Sequence, residues 1–222
     1  MTKELEALMT ELNSTFFRYA QITGALEFYM LVLETPALQL AVSKTLTGTE
    51  TEWKQIHRFM DIGGQRVTWY PELPVADILK QKLSLLGYLY GVTLSRMIGD
   101  LDYYLASVLK GHFAQSDKSG SCWELFVRQT QIDLLKCQHG EFVYTLLQER
   151  HKIEHDRATI DRVFLERFAK RNVKTTYSEG DSIQKSHVDV LLANQVIREF
   201  ATNVDGEVAK LLPPYPLSED SK

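Results

Sequence analysis

The chain has 222 residues, of which 44% are hydrophobic and 24% are charged. These values are those of ordinary globular proteins, so collagen-like, low-complexity and intrinsically disordered chains are excluded. The 25 Lys and Arg residues against 29 Asp and Glu residues give a formal charge of −4. That balance excludes a uniformly basic protein that coats nucleic acid, but it permits a local basic patch.

The cysteine content and the apolar runs bear on the cellular compartment. Two cysteines, Cys122 and Cys137, are too few for a disulfide framework or for a zinc site of four thiolates. We expect free thiols in a reducing compartment. The N-terminus lacks a basic region followed by an apolar run, so no signal peptide is expected. The longest uncharged apolar stretch, Leu83–Ser95, has 13 residues, too few to span a bilayer. The sequence predicts a cytoplasmic protein with no membrane partner.

Helical spacing of apolar residues dominates the N-terminal part of the chain. Apolar side chains recur at steps of three or four, which is typical of amphipathic helices. Thr35-Pro36 marks a boundary, because Pro fits the first turn of a following helix. Residues 61–74 hold two adjacent glycines and two prolines and are predicted to be a linker. Helices are predicted over residues 5–19, 26–33, 37–46 and 50–60.

The C-terminal part continues the helical pattern with one interruption. No proline occurs in residues 75–113, where the apolar spacing predicts a long helical segment. Val173–Tyr177 and Ser182–Gln184 flank a Glu-Gly-Asp turn, which is typical of a short two-stranded hairpin or an ordered loop. Ser186, followed by Asp189 in a capping box, predicts the start of the last helix. Helices are predicted over residues 123–135, 141–154, 163–168 and 188–212.

These elements predict an all-α fold with three parts. Residues 1–73 form a helical N-terminal extension, residues 74–212 a helical domain, and residues 213–222 a flexible tail, because the last segment is rich in proline.

The segment Gln148–Arg157 is the candidate functional site, because two of the six histidines lie there four residues apart among six charged residues. One interpretation is a solvated helix face, on which Glu149, Lys152 and Asp156 form exposed pairs at i,i+3 and i,i+4. A second is a zinc site, because His151 and His155 share a helix face and His-Lys-Ile-Glu-His matches the H-x-x-E-H string of inverted zincins. Such a site needs a third ligand, which no recognisable motif supplies.

A third interpretation pairs Arg150 with His155. Cleavage of RNA without a metal ion needs a group that moves the 2′-hydroxyl proton and a cation that stabilises the charge on phosphorus. Histidine titrates near neutral pH, and arginine binds phosphate through a planar fork. On an ideal helix these two positions lie about 140° apart, so a bend or a second subunit is needed to bring them together.

Arg150-His151-Lys152-Ile153-Glu154-His155 resembles the Arg-(polar)-x-x-x-His motif of HEPN domains. These are small all-α domains, many of them metal-independent endoribonucleases or RNA-binding relatives. The following stretch, Asp156–Leu165, resembles the branch associated with RNase LS and prokaryotic stress proteins. The resemblance covers about residues 94–210 and leaves residues 1–73 outside it.

The resemblance implies a homodimer in which two motifs face each other across a cleft and form a composite site without a cofactor. His155 is then the general base or acid, and Arg150 stabilises the transition state. His151 occupies the motif's polar position and is expected to bind the substrate. Products with a 2′,3′-cyclic phosphate and a 5′-hydroxyl are implied, as are a protein partner or antitoxin and a role in stress response or phage defence.

Four further residues complete the candidate site. Lys152 and Arg157 are expected to contact the RNA. Asp102, on the helix that resembles the first HEPN helix, is expected to orient Arg150, and Glu154 is a second orienting candidate. Carboxylates beside His155 favour the imidazolium but repel phosphate, so a non-catalytic HEPN-like scaffold that binds a partner protein stays an alternative.

The candidate segment is locally basic. Residues 146–174 hold 8 Lys and Arg against 5 Asp and Glu, a net +3, whereas the rest of the chain holds 17 against 24, a net −7. The sequence therefore predicts a localised, salt-sensitive contact with RNA.

Overall fold

The structure is a computed structural model of the whole chain. The residues it describes are 2–47, 55–56, 59–62, 65–68, 73–113, 120–155 and 158–212. Arg157 and the predicted tail, residues 213–222, lie outside the described residues.

The described part of the chain is mainly α-helical, which confirms the predicted all-α class. Its eight helices are α1 (Lys3–Glu34), α2 (Pro36–Thr47), α3 (Val75–Lys80), α4 (Lys82–His112), α5 (Cys122–Thr130), α6 (Gly140–His155), α7 (Arg162–Lys170) and α8 (His187–Leu211). The predicted break at Thr35-Pro36 is confirmed, since α1 ends and α2 begins there. α5 is shorter than predicted, because Gln131 takes a left-handed conformation with φ of 59°.

The described residues of the segment 50–60, where a helix is predicted, form short strands. The strands are β1 (Gln55–Ile56), β2 (Phe59–Ile62), β3 (Gln65–Thr68) and β4 (Leu73–Pro74). β1 pairs with β4 and β2 with β3, both antiparallel. The helix prediction is wrong at these residues. β2 and β3 flank the sequence Gly63-Gly64, a dipeptide typical of hairpin turns, which the linker interpretation overlooked.

The chain divides into two compact units, and the division differs from the predicted boundary at residue 73. The larger unit combines Met1–Phe17 with Tyr90–Lys222, and the smaller unit is Arg18–Leu89. The start of α1 belongs to the larger unit because it is anchored to α8. Thr2 donates from its backbone N–H to Asp205 Oδ2 at 3.2 Å, and Arg198 Nη2 donates to Asn13 Oδ1 at 2.7 Å.

The core of the larger unit is built from apolar faces of α1, α4, α5, α6, α7 and α8. Its fully buried members include Leu12, Leu101, Phe126, Phe168 and Phe200. The rings of Trp123 and Phe200 stack with centroids 5.8 Å apart and 7° between their planes. Burial of each such side chain contributes about 1.5–3 kcal/mol, so this core holds the helices around the candidate site in place.

The smaller unit has its own apolar cluster. Met30, Leu33 and Val75 are buried in it, and Gln39 Nε2 donates to the Leu33 carbonyl at 2.7 Å, which satisfies a backbone acceptor at the end of α1. No single helix in the described chain has the length and apolar character to cross a membrane. α1 has that length and apolar character only when it is taken together with Pro36–Val42, and the chain bends by 110° between the two helices.

The predicted hairpin before α8 is not formed by its two predicted arms. Ser182 pairs with Thr159 in an isolated antiparallel bridge, and Ile183 N–H donates to the Ala158 carbonyl at 2.7 Å. The second arm therefore pairs with the segment after α6, because this arrangement buries both Ile160 and Ile183. Gly180, with φ of 91°, forms the turn.

The last helix begins as predicted. Ser186 is the N-cap of α8, and its hydroxyl accepts from the Asp189 N–H while the Asp189 carboxylate accepts from the Ser186 N–H at 2.7 Å. This is the capping box that the sequence predicts.

Replacing the cap residue (Ser186→Ala) is expected to lower the free energy of unfolding by about 1 kcal/mol, because an N–H in the first turn of α8 loses its acceptor. Chemical denaturation measures this change. Ser178→Ala is the matched control, because Ser178 is exposed and its hydroxyl makes no hydrogen bond within the described residues. Equal stability of the two variants would contradict the assigned cap.

Candidate functional site

α6 carries most of the candidate segment, and its first residue must be glycine. A Cβ atom at Gly140 would lie 2.0 Å from the Leu134 carbonyl oxygen and 2.8 Å from that of Leu135. Both contacts are backbone atoms closer than any real Cβ approaches, so a side chain here would displace the loop before α6. This close approach fixes where α6 starts relative to the loop that follows α5.

One side of α6 faces an open cleft of about 920 Å³ in the larger unit. The start of α5 and parts of α4 and α7 complete the walls. The charged and imidazole side chains that line it are Asp102, Glu124, Arg150, His151, Glu154, Arg167, Lys170 and Arg171. Basic side chains outnumber acidic ones, so the cleft suits an anionic ligand.

Arg150 is held on the cleft wall by two carboxylates. Its Nη1 donates to Asp102 Oδ2 at 2.7 Å, and its Nε donates to Glu154 Oε1 at 2.9 Å. Gly99 of α4 lies beside the guanidinium, where a Cβ atom would be 3.9 Å from both Nη atoms. The contact expected between Asp102 and Arg150 is present. Asp100, two residues earlier on α4, does not share this contact, since its carboxylate accepts from Thr15 Oγ1 at 3.0 Å.

Asp102 is an ionisable group under opposing influences. Burial raises the pKa of its carboxyl above the ordinary value of 3.8, and the Arg150 guanidinium lowers that pKa by less.

The Cys122 thiol donates to the Asp102 backbone carbonyl, with Sγ 3.3 Å from the oxygen. Burial raises the pKa of that thiol to about 12, so Cys122 is a protonated thiol at neutral pH and not a nucleophile.

Of the two histidines of the motif, only His151 has a described side chain. His151 is exposed and lines the cleft beside Arg150. His155 is the last residue of α6, one helical turn beyond His151, and its side chain lies outside the described part of the structure. Arg157, predicted to bind substrate, lies outside it too. The cleft thus brings together Arg150, His151, Glu154 and Asp102 of the predicted site residues.

Lys152 does not contact the cleft, contrary to its predicted role in substrate binding. Its side chain is 5% exposed, and its Nζ donates to Asp161 Oδ2 at 2.7 Å. The physical reason is its position on the buried side of α6, where Asp161, the N-cap of α7, is within reach. An ammonium group in this pair is not available to a phosphate.

Glu149 lies on the same buried side of α6. Its Oε1 accepts from the Tyr177 hydroxyl at 2.6 Å, and its Oε2 lies 2.7 Å from Lys185 Nζ in an ion pair. These contacts tie α6 to the segment before α8. The interpretation of Glu149 and Lys152 as an exposed charge pair is therefore wrong, since both are buried.

The basic residues of α7 are site residues that the motif did not identify. Arg167 and Lys170 of α7 and its C-cap residue Arg171 line the cleft, with Lys170 and Arg171 three and four residues after Arg167. The buried Phe164 and Phe168 give α7 an amphipathic pattern, and that pattern was the available signal for a basic face.

Neither known proteins nor a cluster of metal ligands in the described residues identifies the function of this site. Comparison with protein-family models, with curated proteins and with solved structures finds no match to this chain. Among the residues that the structure describes, no group of three or more His, Cys, Asp or Glu side chains is arranged to hold a metal ion.

Asp102→Asn tests the balance between burial and the ion pair. Because burial dominates, the folded state holds the Asp102 proton more tightly than the unfolded state does. The free energy of unfolding of the wild type, relative to Asp102→Asn, is therefore expected to fall as the pH rises from 3.8 through the raised pKa. Denaturation at a series of pH values measures this difference. A relative stability that increases with pH would mean that Arg150 outweighs burial.

The Lys152–Asp161 pair predicts an asymmetry between its two sides. Asp161→Ala removes the cap of α7 and the carboxylate beside a buried ammonium, so it is expected to destabilise the fold by about 2–4 kcal/mol. Lys152→Met removes the buried charge and leaves the half-exposed Asp161 as a cap, so its expected effect is under about 1 kcal/mol. Chemical denaturation compares the two. Equal losses would contradict the assignment of the cost to the buried ammonium.

Proposed function

We propose that this protein binds RNA in the cleft beside α6 and cleaves it without a metal ion, as a homodimer of HEPN type. One observation carries the proposal: Arg150 is fixed by Asp102 and Glu154 on the wall of a cleft that also holds His151 and the basic side chains of α7. A guanidinium held in one orientation loses little freedom when a phosphate binds.

The proposed reaction is an internal transfer of the RNA phosphate. The 2′-oxygen forms a bond to phosphorus while the bond from phosphorus to the 5′-oxygen breaks. One His155 accepts the 2′-hydroxyl proton, and the protonated His155 of the second subunit donates a proton to the leaving 5′-oxygen. Arg150 stabilises the added negative charge on the phosphoryl oxygens. The products are a 2′,3′-cyclic phosphate and a 5′-hydroxyl.

The positions of the two residues on α6 support a composite site. At 3.6 residues per turn, positions 150 and 155 lie about 140° apart around α6. A two-fold axis that passes beside the C-terminal end of α6 would place Arg150 of one subunit opposite His155 of the other. We infer that the homodimer is the active form.

A non-catalytic scaffold is the second candidate function, and the charges around Arg150 favour it. Two carboxylates already engage the guanidinium, and both repel an incoming phosphate. α8 also exposes Val188, Leu191 and Leu192, which are apolar groups that a protein partner would cover. In this function the cleft would not turn over RNA.

Cleavage of labelled single-stranded RNA in the presence of EDTA distinguishes these functions. Arg150→Ala and His155→Ala are each expected to lower the rate by about 10²–10⁴-fold, because each removes a group that acts in the transition state. His139→Ala is the matched control, because His139 pairs with Glu199 at 2.6 Å and does not line the cleft.

Three other outcomes would contradict the proposed ribonuclease. Activity that survives both site substitutions would remove the proposed mechanism. Activity that is lost to EDTA alone would favour the zinc interpretation of His151 and His155. No cleavage by the folded wild-type protein, together with a stable protein complex, would favour the scaffold.

A further inference from the structure

Carboxylates balance the charge of Arg150 on one wall of the cleft, whereas two basic side chains of α7 on the same cleft have no such partners in the described part of the chain. The Arg167 guanidinium donates through Nη1 to the neutral side chain of Gln148 at 3.1 Å, and no described carboxylate lies within ion-pair distance of it. Lys170 is exposed and has no hydrogen-bonding or ion-pairing partner among the described residues. Two full positive charges on this face are therefore uncompensated.

Arg171 completes this face and is held in place by its neighbours. Its Nη2 donates to Glu124 Oε1 at 3.1 Å, and its guanidinium lies over the Tyr144 ring with 5.6 Å between the guanidinium carbon and the ring centroid. Glu124 is half-exposed, so solvent screens this ion pair. The stacked guanidinium therefore remains oriented along the wall of the cleft.

These cations line the same cleft as Arg150. Lys170 is the last residue of α7 and Arg171 caps its end, so both lie about one turn beyond Arg167 along the chain. The hydrogen bond between Gln148 and Arg167 joins α6 to α7 one turn before His151. A phosphate at Arg150 and a neighbouring phosphate on α7 would thus lie in one continuous cleft.

We propose that Arg167, Lys170 and Arg171 form a phosphate subsite for the phosphodiesters next to the one that Arg150 binds. The choice of RNA as the ligand rests on the proposed function. In this proposal α7, and not the motif that contains Arg150, makes the first electrostatic contact with the RNA. Arg150 is neutralised by two carboxylates, whereas Arg167 and Lys170 present the uncompensated charge that attracts a polyanion. The subsite binds substrate and transition state alike, so it affects KM more than kcat.

The test uses a labelled 2′-O-methyl oligonucleotide of about 12 nucleotides, which lacks the attacking hydroxyl and so reports binding without cleavage. Fluorescence anisotropy compares the full-length wild type with the double variant Arg167→Gln/Lys170→Gln. Two lost phosphate contacts are expected to reduce the slope of log K against log salt by about 1.4 and the affinity at 0.1 M salt about 25-fold.

The matched control is the double variant Arg162→Gln/Lys174→Gln, which carries the same change in net charge. Arg162 lies about 140° around α7 from Arg167, and neither control residue lines the cleft. The control is expected to keep the wild-type slope. Circular dichroism and thermal denaturation establish that both double variants are folded.

The possible results distinguish a failure of the proposed subsite from a failure of the proposed ribonuclease activity. If both double variants lower the slope equally, or if neither does, the subsite is overturned, even where the wild type cleaves RNA. If the wild type binds the oligonucleotide without any salt dependence, the subsite is overturned as well. If binding depends on α7 but natural RNA is not cleaved, the subsite is supported and the ribonuclease fails. If RNA is cleaved, the α7 variant is expected to raise KM and leave kcat near the wild-type value.

Discussion

The burial of Glu149 and Lys152 determines which side of α6 reaches the cleft. Both side chains are charged, and each has its partners on elements that follow α6: Tyr177 and Lys185 for Glu149, and Asp161 for Lys152. A buried charge that loses its partner is strongly destabilising, so α6 cannot rotate about its axis without a large loss of stability. At 100° per residue, this constraint directs positions 147, 150, 151 and 154 to the opposite side, where the cleft lies.

The charges of the cleft are organised into two regions by the same constraint. Once α6 is fixed, Arg150 meets Asp102 of α4 and Glu154 of its own helix, and its charge is compensated before any ligand arrives. α7 is oriented by Phe164 and Phe168 in the core, which leaves Arg167 and Lys170 on the cleft without acidic partners among the described residues. In the proposed RNA complex, α6 therefore orients the phosphate through Arg150, and α7 supplies the charge that attracts it.

The sequence predicted most of the helices and the contacts of Arg150 with Asp102 and Glu154, but not the buried partners that fix the orientation of α6. The apolar periodicity and the Ser186 capping box predicted α8 to within a residue at each end, because these signals depend on neighbours along the chain. The short strands around Gly63-Gly64 had a local signal that helical periodicity obscured. The burial of Lys152 had none, because a lysine in a charged helical stretch is ordinarily exposed, and Asp161 becomes its partner only when α7 folds back.

For the proposed cleavage of RNA, the geometry of α6 makes one copy of the motif an incomplete site for acid–base chemistry. His151 lies about 100° around the helix from Arg150, and position 155 about 40° from His151. A phosphate bound at Arg150 thus has the His151 side of the helix beside it, while position 155 lies one turn further along and away from the guanidinium. Moving both protons of the proposed phosphate transfer requires a base on one side of the phosphorus atom and an acid on the other. In the proposed homodimer, a second copy would supply the missing group without any rearrangement of the buried pairs that hold α6.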